Sequence, residues 1–241
     1  MKTSDKALEH WAIYIDIEGF SPNYDASHGR VIAGLENLME SIYWIGSKFC
    51  SKRSRRLCAF QAGGDGFFID SEYGSPHIPI AIAIILMRSA LLAGTLTKAG
   101  ISEGECIGIS GWRPEVIRQN ARHDRVRIGS GYMHLFPIMG TAYISAYKIT
   151  NPKGALLLID SKMAKRTSVR SITVSNNPDC NVIDWIHTDI PEIQQIAEIA
   201  EISIGKACDL EESLKVEADK AASTFLSEKW LHNTLMFNNC A

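Results

Sequence analysis

The run Trp11-Ala-Ile-Tyr-Ile-Asp-Ile17 is apolar apart from one carboxylate and predicts a buried β-strand. After turn residues at Phe20-Ser-Pro-Asn-Tyr24, the apolar positions Ile32, Leu35, Leu38, Met39, Ile42 and Ile45 recur at intervals of three and four. That spacing predicts a helix from about Val31 to Phe49 with one buried face. Leu57 to Gln61 reads as a strand, Gly63-Gly64 as a hairpin turn and Gly66 to Asp70 as the returning strand. The punctuation Pro76-His77-Ile78-Pro79 opens a second long apolar helix, expected to run to about Ala99. Ile101 to Ser110 then alternates as a strand, with Gly104 marking a bulge or a close backbone contact.

Further on, Trp112 to Arg127 is polar and rich in arginine and predicts an arm lying over a site, and Ile128 to Phe136 predicts a strand. Ile138 to Lys148 turns through Gly140 into a helix. Ala155 to Asp160 is a short buried strand with Ser161 as a helix cap, and Ser171–Val174 and Val182–Ile186 form a closing strand pair. Beyond Pro191 the pattern is helical, and Glu211, Glu212, Lys215, Glu217 and Lys220 are spaced as partners on an exposed face. The order β, α, β, β, α, β predicts an α+β domain with a ferredoxin-like sheet and helices on one face. Residues 1–190 are expected to form this domain and 191–241 a C-terminal helical extension.

Composition narrows the function. A net charge of −2 argues against a general nucleic-acid binder. The six cysteines lack CxxC pairing and metal-ligand spacing, so they read as reduced thiols of a cytosolic protein. Ile78 to Leu92 is the most lipid-like stretch, but Pro79, Arg88 and its length favour a core helix over a membrane span. The N-terminal residues lack the apolar core of a secretory signal, which points to the cytoplasm.

The candidate chemistry rests on two carboxylates. Asp16 stands in an apolar strand, where an unanswered charge is costly, and Asp65 follows the two glycines of the hairpin. Two acidic residues on neighbouring strand ends suit a hard divalent cation, Mg²⁺ or Mn²⁺, which prefers oxygen ligands and commonly sits between one or two carboxylates and substrate phosphates. Two such ions would lower the pKa of an attacking hydroxyl and offset charge on the leaving group. The carbonyl of Ile17 is a candidate third protein oxygen. The basic turn Lys52-Arg-Ser-Arg-Arg56 reads either as a solvated loop or as a contact to triphosphate.

Ile15-Asp-Ile-Glu-Gly-Phe-Ser21 resembles the Asp-x-x-Gly-Phe-Ser/Thr motif of class III nucleotide cyclases, and Gly64-Asp65 resembles their second metal aspartate. Gly100-Ile-Ser-Glu-Gly104 and Ile138-Met-Gly140 are similar to their Gly-Ile-x-x-Gly strand and Ile-x-Gly turn. The resemblance covers about residues 10 to 160. It implies that a nucleoside triphosphate is cyclised at a site shared by two domains, here a two-fold homodimer. Asp16, Ile17 and Asp65 would hold two Mn²⁺ or Mg²⁺ ions, while the backbone at Gly19 and Phe20 would cradle the triphosphate. Lys148 is the candidate transition-state contact, and Arg122 and Arg125 are candidate triphosphate ligands on the arm.

Departures from the purine-specific pattern point to the base. Gln61 stands where purine cyclases carry Lys or Glu, Pro137 where they carry Asp, Thr or Cys, and Ile144 and Lys148 where they place Asn and Arg. This combination is similar to the stand-alone pyrimidine cyclases of the bacterial Pycsar antiphage system, which implies UTP as the favoured substrate, cyclic UMP as product and Gln61 as a base contact. Besides a purine nucleotide cyclase, two rivals stay open. Gly63-Gly-Asp-Gly-Phe67 imitates the diguanylate cyclase hairpin, although Gly66 replaces its glutamate. A catalytically dead nucleotide-sensing domain is the other.

Overall fold

The computed structural model describes residues 8–21, 28–53, 56–72, 74–136, 138–174, 177–224 and 226–240. Its centre is β1 (Leu8–Ile17), flanked on one side by β4 (Thr97–Gly108) and on the other by β3 (Gly66–Glu72), which pairs in turn with β2 (Cys58–Ala62). All of these pairings are antiparallel. With α1 (His28–Trp44) between β1 and β2, and α2 (His77–Leu92) between β3 and β4, this is the expected α+β, ferredoxin-like order. The sheet continues past β4 through β9 (Leu157–Asp160), which is parallel to it, to β11 (Asn177–Ile183) and β10 (Ser171–Val174).

The period of two along β1 decides which side chain goes where. Trp11, Ile13, Ile15 and Ile17 face the main core, and Ala12, Tyr14 and Asp16 point to the opposite face. α1 continues into a π-helical turn (Ile45–Cys50), and it covers the first face together with α2. α2 is apolar on every side because it is wrapped on every side, and its residues Ile78 to Leu91 are all buried. The buried Arg88 is satisfied by backbone carbonyls of the turn after β11, with Nε donating to Trp185 O (2.9 Å) and Nη2 to Ile186 O (3.0 Å) and Thr188 O (2.7 Å).

The outer wrapping comes from α6 (Pro191–Ala200), α7 (Ala207–Thr224) and α8 (Glu228–Phe237). Ile193, Ile196, Leu210, Leu214 and Trp230 join the same hydrophobic cluster as the sheet and α2. The charged positions of α7 include Lys220, paired with Glu217 at 3.0 Å.

Helices cover both faces of the sheet rather than one. α4 (Thr141–Lys148) lies on the Ala12/Tyr14 side, reached through the short strand β8 (Ile138–Gly140), which pairs with β4. It sits so close that a Cβ on Gly100 would fall 2.2 Å from Ala146 O, and one on Gly104 would fall 2.4 Å from Thr141 Oγ1. The glycines of the Gly-Ile-x-x-Gly stretch are therefore required by close approach of a helix, not by a bulge.

Three boundaries differ from the sequence reading. α2 ends at Leu92, not Ala99, because Gly94 adopts φ +75 just past its end and Thr95 to Thr97 extend into β4. The strand expected over Ile128–Phe136 is a hairpin of β6 (Arg125–Ile128) and β7 (Gly131–His134), turned at Gly129. The cap of the short helix α5 (Ser161–Ala164) is Asp160, whose Oδ1 accepts from Met163 N at 2.8 Å. The arm between β4 and α4 is structured throughout its described length: a 3₁₀ turn (Ser110–Trp112), α3 (Glu115–Asn120) and a three-stranded sheet of β5 (Ala121–Arg122), β6 and β7. No helix among the described residues is long and apolar enough to cross a membrane.

Candidate active site

Asp16 is the penultimate residue of β1, and Asp65 sits in the turn joining β2 to β3, with Gly63 and Gly64 at φ +72 and +106. Register does the rest. β1 and β3 are neighbours with Ile15 opposite Phe67, so the turn before β3 lies beside the end of β1. The two carboxyl groups come within hydrogen-bonding reach of each other although 49 residues separate them in the chain.

Electrostatically this is one shared-proton pair. Burial, then the charge of Asp65, then that of Glu18 push Asp16 up to about 7, against a small opposing effect of Lys98. Asp65 is also raised, chiefly by burial, while its backbone hydrogen bond and then the hydrogen bond with Asp16 work in the other direction, so the two carboxyls titrate as a pair. The Tyr14 hydroxyl hydrogen-bonds Asp16, and burial and the two aspartates raise its pKa. Its ring stands over Gly66, where a Cβ would meet the Tyr14 hydroxyl at 2.8 Å, and it packs on Phe68 and Tyr147 with centroids 4.9 and 5.1 Å away. Gly66 therefore interrupts the diguanylate-type hairpin because the tyrosine fills the space.

Glu18, two residues beyond Asp16, was not singled out by the sequence. Its Oε1 pairs with Lys98 Nζ at 2.7 Å, and its Oε2 accepts the indole N–H of Trp230. Its backbone N–H donates to Leu96 O (2.9 Å), fixing the start of a turn in which Gly19 has φ +70. Ile17 has its side chain in the main core, and Phe20 packs against that core at its edge.

Other predicted residues fall elsewhere. Gln61 is exposed on β2, where its amide donates to Gly64 O, and it lines a cavity of about 370 Å³ with Phe60, His123, Arg125, His134 and Phe136. Arg125 also lies over the Tyr132 ring at 5.4 Å, and Arg122 faces it across the β5–β6 pair. Lys148 lines a separate groove of about 730 Å³ with Ser102, Ser145, Asp160 and Asp179, so a single chain does not bring it to the two aspartates. Pro137 lies outside the described residues. Lys52 and Arg53 are exposed, and the Arg53 guanidinium lies 5.4 Å from the Phe49 ring centre.

The donor set between Asp16 and Asp65 is all oxygen and carries excess negative charge, with Glu18 adding to it and Lys98 already paired. That fits a hard divalent cation. A second group of potential ligands, His10, Asp70 and Cys106, has its ligand atoms within 4.8 Å of one another. There, however, Asp70 is satisfied by the protein, since Tyr143 donates to Oδ1 (2.5 Å) and His10 Nδ1 meets Oδ2 (2.9 Å). His10 closes this buried network beneath α4.

No protein-family model matches the chain, and no curated protein matches it in sequence. Solved structures do match. The adenylyl cyclase CyaB from P. aeruginosa is 11% identical with a TM-score of 0.53, over 78% of this chain and 98% of that one. A bacterial light-regulated adenylyl cyclase is 12% identical with a TM-score of 0.48, over 83% of this chain, which spans only 58% of that longer protein. A class III adenylyl cyclase-like ATP-binding protein from Pseudomonas aeruginosa is 14% identical with a TM-score of 0.46, over 90% of this chain and 44% of that one. Likeness at this identity concerns architecture, and through CyaB the chain has the fold of a class III nucleotide cyclase domain.

Proposed function

We propose that this protein is a metal-dependent nucleotide cyclase that converts a pyrimidine nucleoside triphosphate, UTP by preference, into the 3′,5′-cyclic nucleotide and pyrophosphate, as a second-messenger synthase in antiphage defence. The observation that carries the reading is the meeting of Asp16 and Asp65 at the end of the central strand, beside a turn with a left-handed glycine. Bound by the two carboxylates and the Ile17 carbonyl, two Mn²⁺ or Mg²⁺ ions would supply charge neutralisation at the phosphates and a lowered pKa at the attacking hydroxyl. In the reaction the 3′-hydroxyl oxygen bonds to the α-phosphorus, the bond to the pyrophosphate oxygen breaks, and the hydroxyl proton passes to solvent.

Asp16 lies near the end of β1 and Asp65 in the turn that enters the neighbouring β3, so the register of that strand pair brings them together. The backbone of the Gly19–Phe20 turn binds the triphosphate. Gln61 and Arg125 share one cavity, which supports base and phosphate contacts from the arm side. Gln61 in place of a purine-type Lys or Glu supports a pyrimidine. Lys148 acts across a two-fold axis on the partner's substrate. The exposed apolar side chains of Met139, Ile144 and Tyr147 on and beside α4 support a second copy docking on that face.

The test is incubation of the purified protein with each of the four ribonucleoside triphosphates and Mn²⁺, with products identified by mass spectrometry. Cyclic UMP is expected. Cyclic AMP or GMP would overturn the base assignment, and cyclic di-GMP or no product would overturn the reaction.

A further inference from the structure

Asp16 and Lys98 face each other in register across β1 and β4. An ammonium opposite a carboxylate would ordinarily pair with it, and an aspartate so occupied is a poor metal ligand. Here Lys98 is bound by Glu18 at 2.7 Å instead, and both side chains are nearly buried. The other Glu18 oxygen accepts from the Trp230 indole, 212 residues away and itself 2% exposed.

Trp230 is presented by a helix fastened at both ends. The cap Ser227 accepts from Trp230 N at 3.3 Å. Farther along α8, Thr234 Oγ1 accepts from Ala155 N (2.9 Å), Asn233 Nδ2 donates to Lys153 O (2.7 Å), and Asn238 Nδ2 donates to Ala155 O (3.3 Å). The indole therefore meets Glu18 from a fixed direction.

We infer that Trp230 is a positioning residue for the carboxylate pair. Its N–H fixes Glu18 against Lys98, which holds the ammonium off Asp16 and the turn at Gly19 in place. The C-terminal helix is in this way part of the metal site's support, a role that groups behind metal ligands commonly have. The inference deepens the proposed cyclase reading but is measured on metal binding.

The experiment uses the full chain stripped of metal and titrated with Mn²⁺, free ion being read by electron paramagnetic resonance. Trp230→Phe keeps the ring and removes the donor, and it is expected to weaken Mn²⁺ binding about tenfold while thermal unfolding stays close to wild type. Glu18→Ala is expected to do the same, the double variant to be no weaker than Glu18→Ala alone, and Lys98→Met to restore binding to Glu18→Ala. Wild-type affinity in Trp230→Phe, additive losses in the double variant, or a wild-type chain that binds no Mn²⁺ would each overturn the inference. If Trp230→Phe does not fold, Glu18→Gln replaces it: it keeps an acceptor for the indole but releases Lys98, so unchanged affinity there overturns the inference. Mn²⁺ binding that depends on Trp230 in a protein that cyclises no nucleotide would sink the cyclase reading and leave the positioning role standing.

Discussion

Replacing Asp65 with asparagine should make the metal-free protein more stable while removing its response to metal. Asp16 has its folded-state pKa raised from 3.8 to about 7. A carboxyl raised on folding favours the fold at low pH, and the metal-free protein loses that stability as pH climbs from about 4 to about 7. A rise of this size corresponds to about 4 kcal/mol, which solvent screening at this partly exposed position reduces to about 2 kcal/mol. Burial is the larger cause and the Asp65 charge the next, so Asp65→Asn should return about 1 kcal/mol at pH 8, an increase in Tm of about 2–4 °C for a chain of this length. At pH 5 the wild-type pair already holds its proton and the gain should vanish. Tryptophan-fluorescence melts of both proteins at the two pH values in EDTA, repeated with Mn²⁺, read all of this. Mn²⁺ should raise the wild-type Tm and leave the variant unmoved. A variant no more stable than wild type at pH 8, or stabilised equally by Mn²⁺, would refute the shared-proton site.

Four more outcomes are expected. Gly66→Glu, which would restore the diguanylate-type hairpin, collides with the Tyr14 hydroxyl and should cost about 1–3 kcal/mol in urea unfolding without yielding cyclic di-GMP. Gly100→Ala drives a methyl into Ala146 O and should lift α4 from the sheet, seen as about 3 kcal/mol or more lost in denaturant melts and loss of the dimer by light scattering. Asp65→Asn and Lys148→Ala should each be inactive as homodimers but recover about a quarter of wild-type turnover when co-refolded in equal amounts, because half the dimers then carry one intact site. Ile144→Arg on the exposed face of α4 should give a folded monomer with no cyclase activity by light scattering and product assay.

What the sequence disclosed depended on whether the signal was local. The apolar run of β1 and the largely apolar stretch of α2 are one-segment patterns, and both elements are present, α2 opening at the expected Pro76–Pro79 punctuation. The end of α2 was misplaced because Ala93 to Lys98 lacks a proline or a charge run. The available signal was Gly94 followed by Thr-Leu-Thr, a left-handed terminator and then β-branched residues. The hairpin at Gly129 carried a local signal, Gly129-Ser-Gly131, which a reading of one strand over Ile128–Phe136 passes over. At the site, Asp16 and Asp65 were legible because each sits in its own glycine-marked context. Glu18 was not, because its partner Trp230 lies on the last helix, and no short-range pattern links positions so far apart. The His10–Asp70–Tyr143 network is equally non-local, drawing on two strands and α4.

The wrapping of α2 has a consequence for how this molecule meets others. With α1, α6, α7 and α8 closed over that helix, the inward apolar faces of that side are spent within one chain, while Ile32, Met39 and Tyr43 on α1, Val216 on α7 and Met236 on α8 stay exposed. On the opposite side Met139, Ile144 and Tyr147 stand open to water next to the arm, the face on which the proposed second copy would dock. The C-terminal helices thus serve the chain's own interior, and the sheet's other face is left to α4 and the arm.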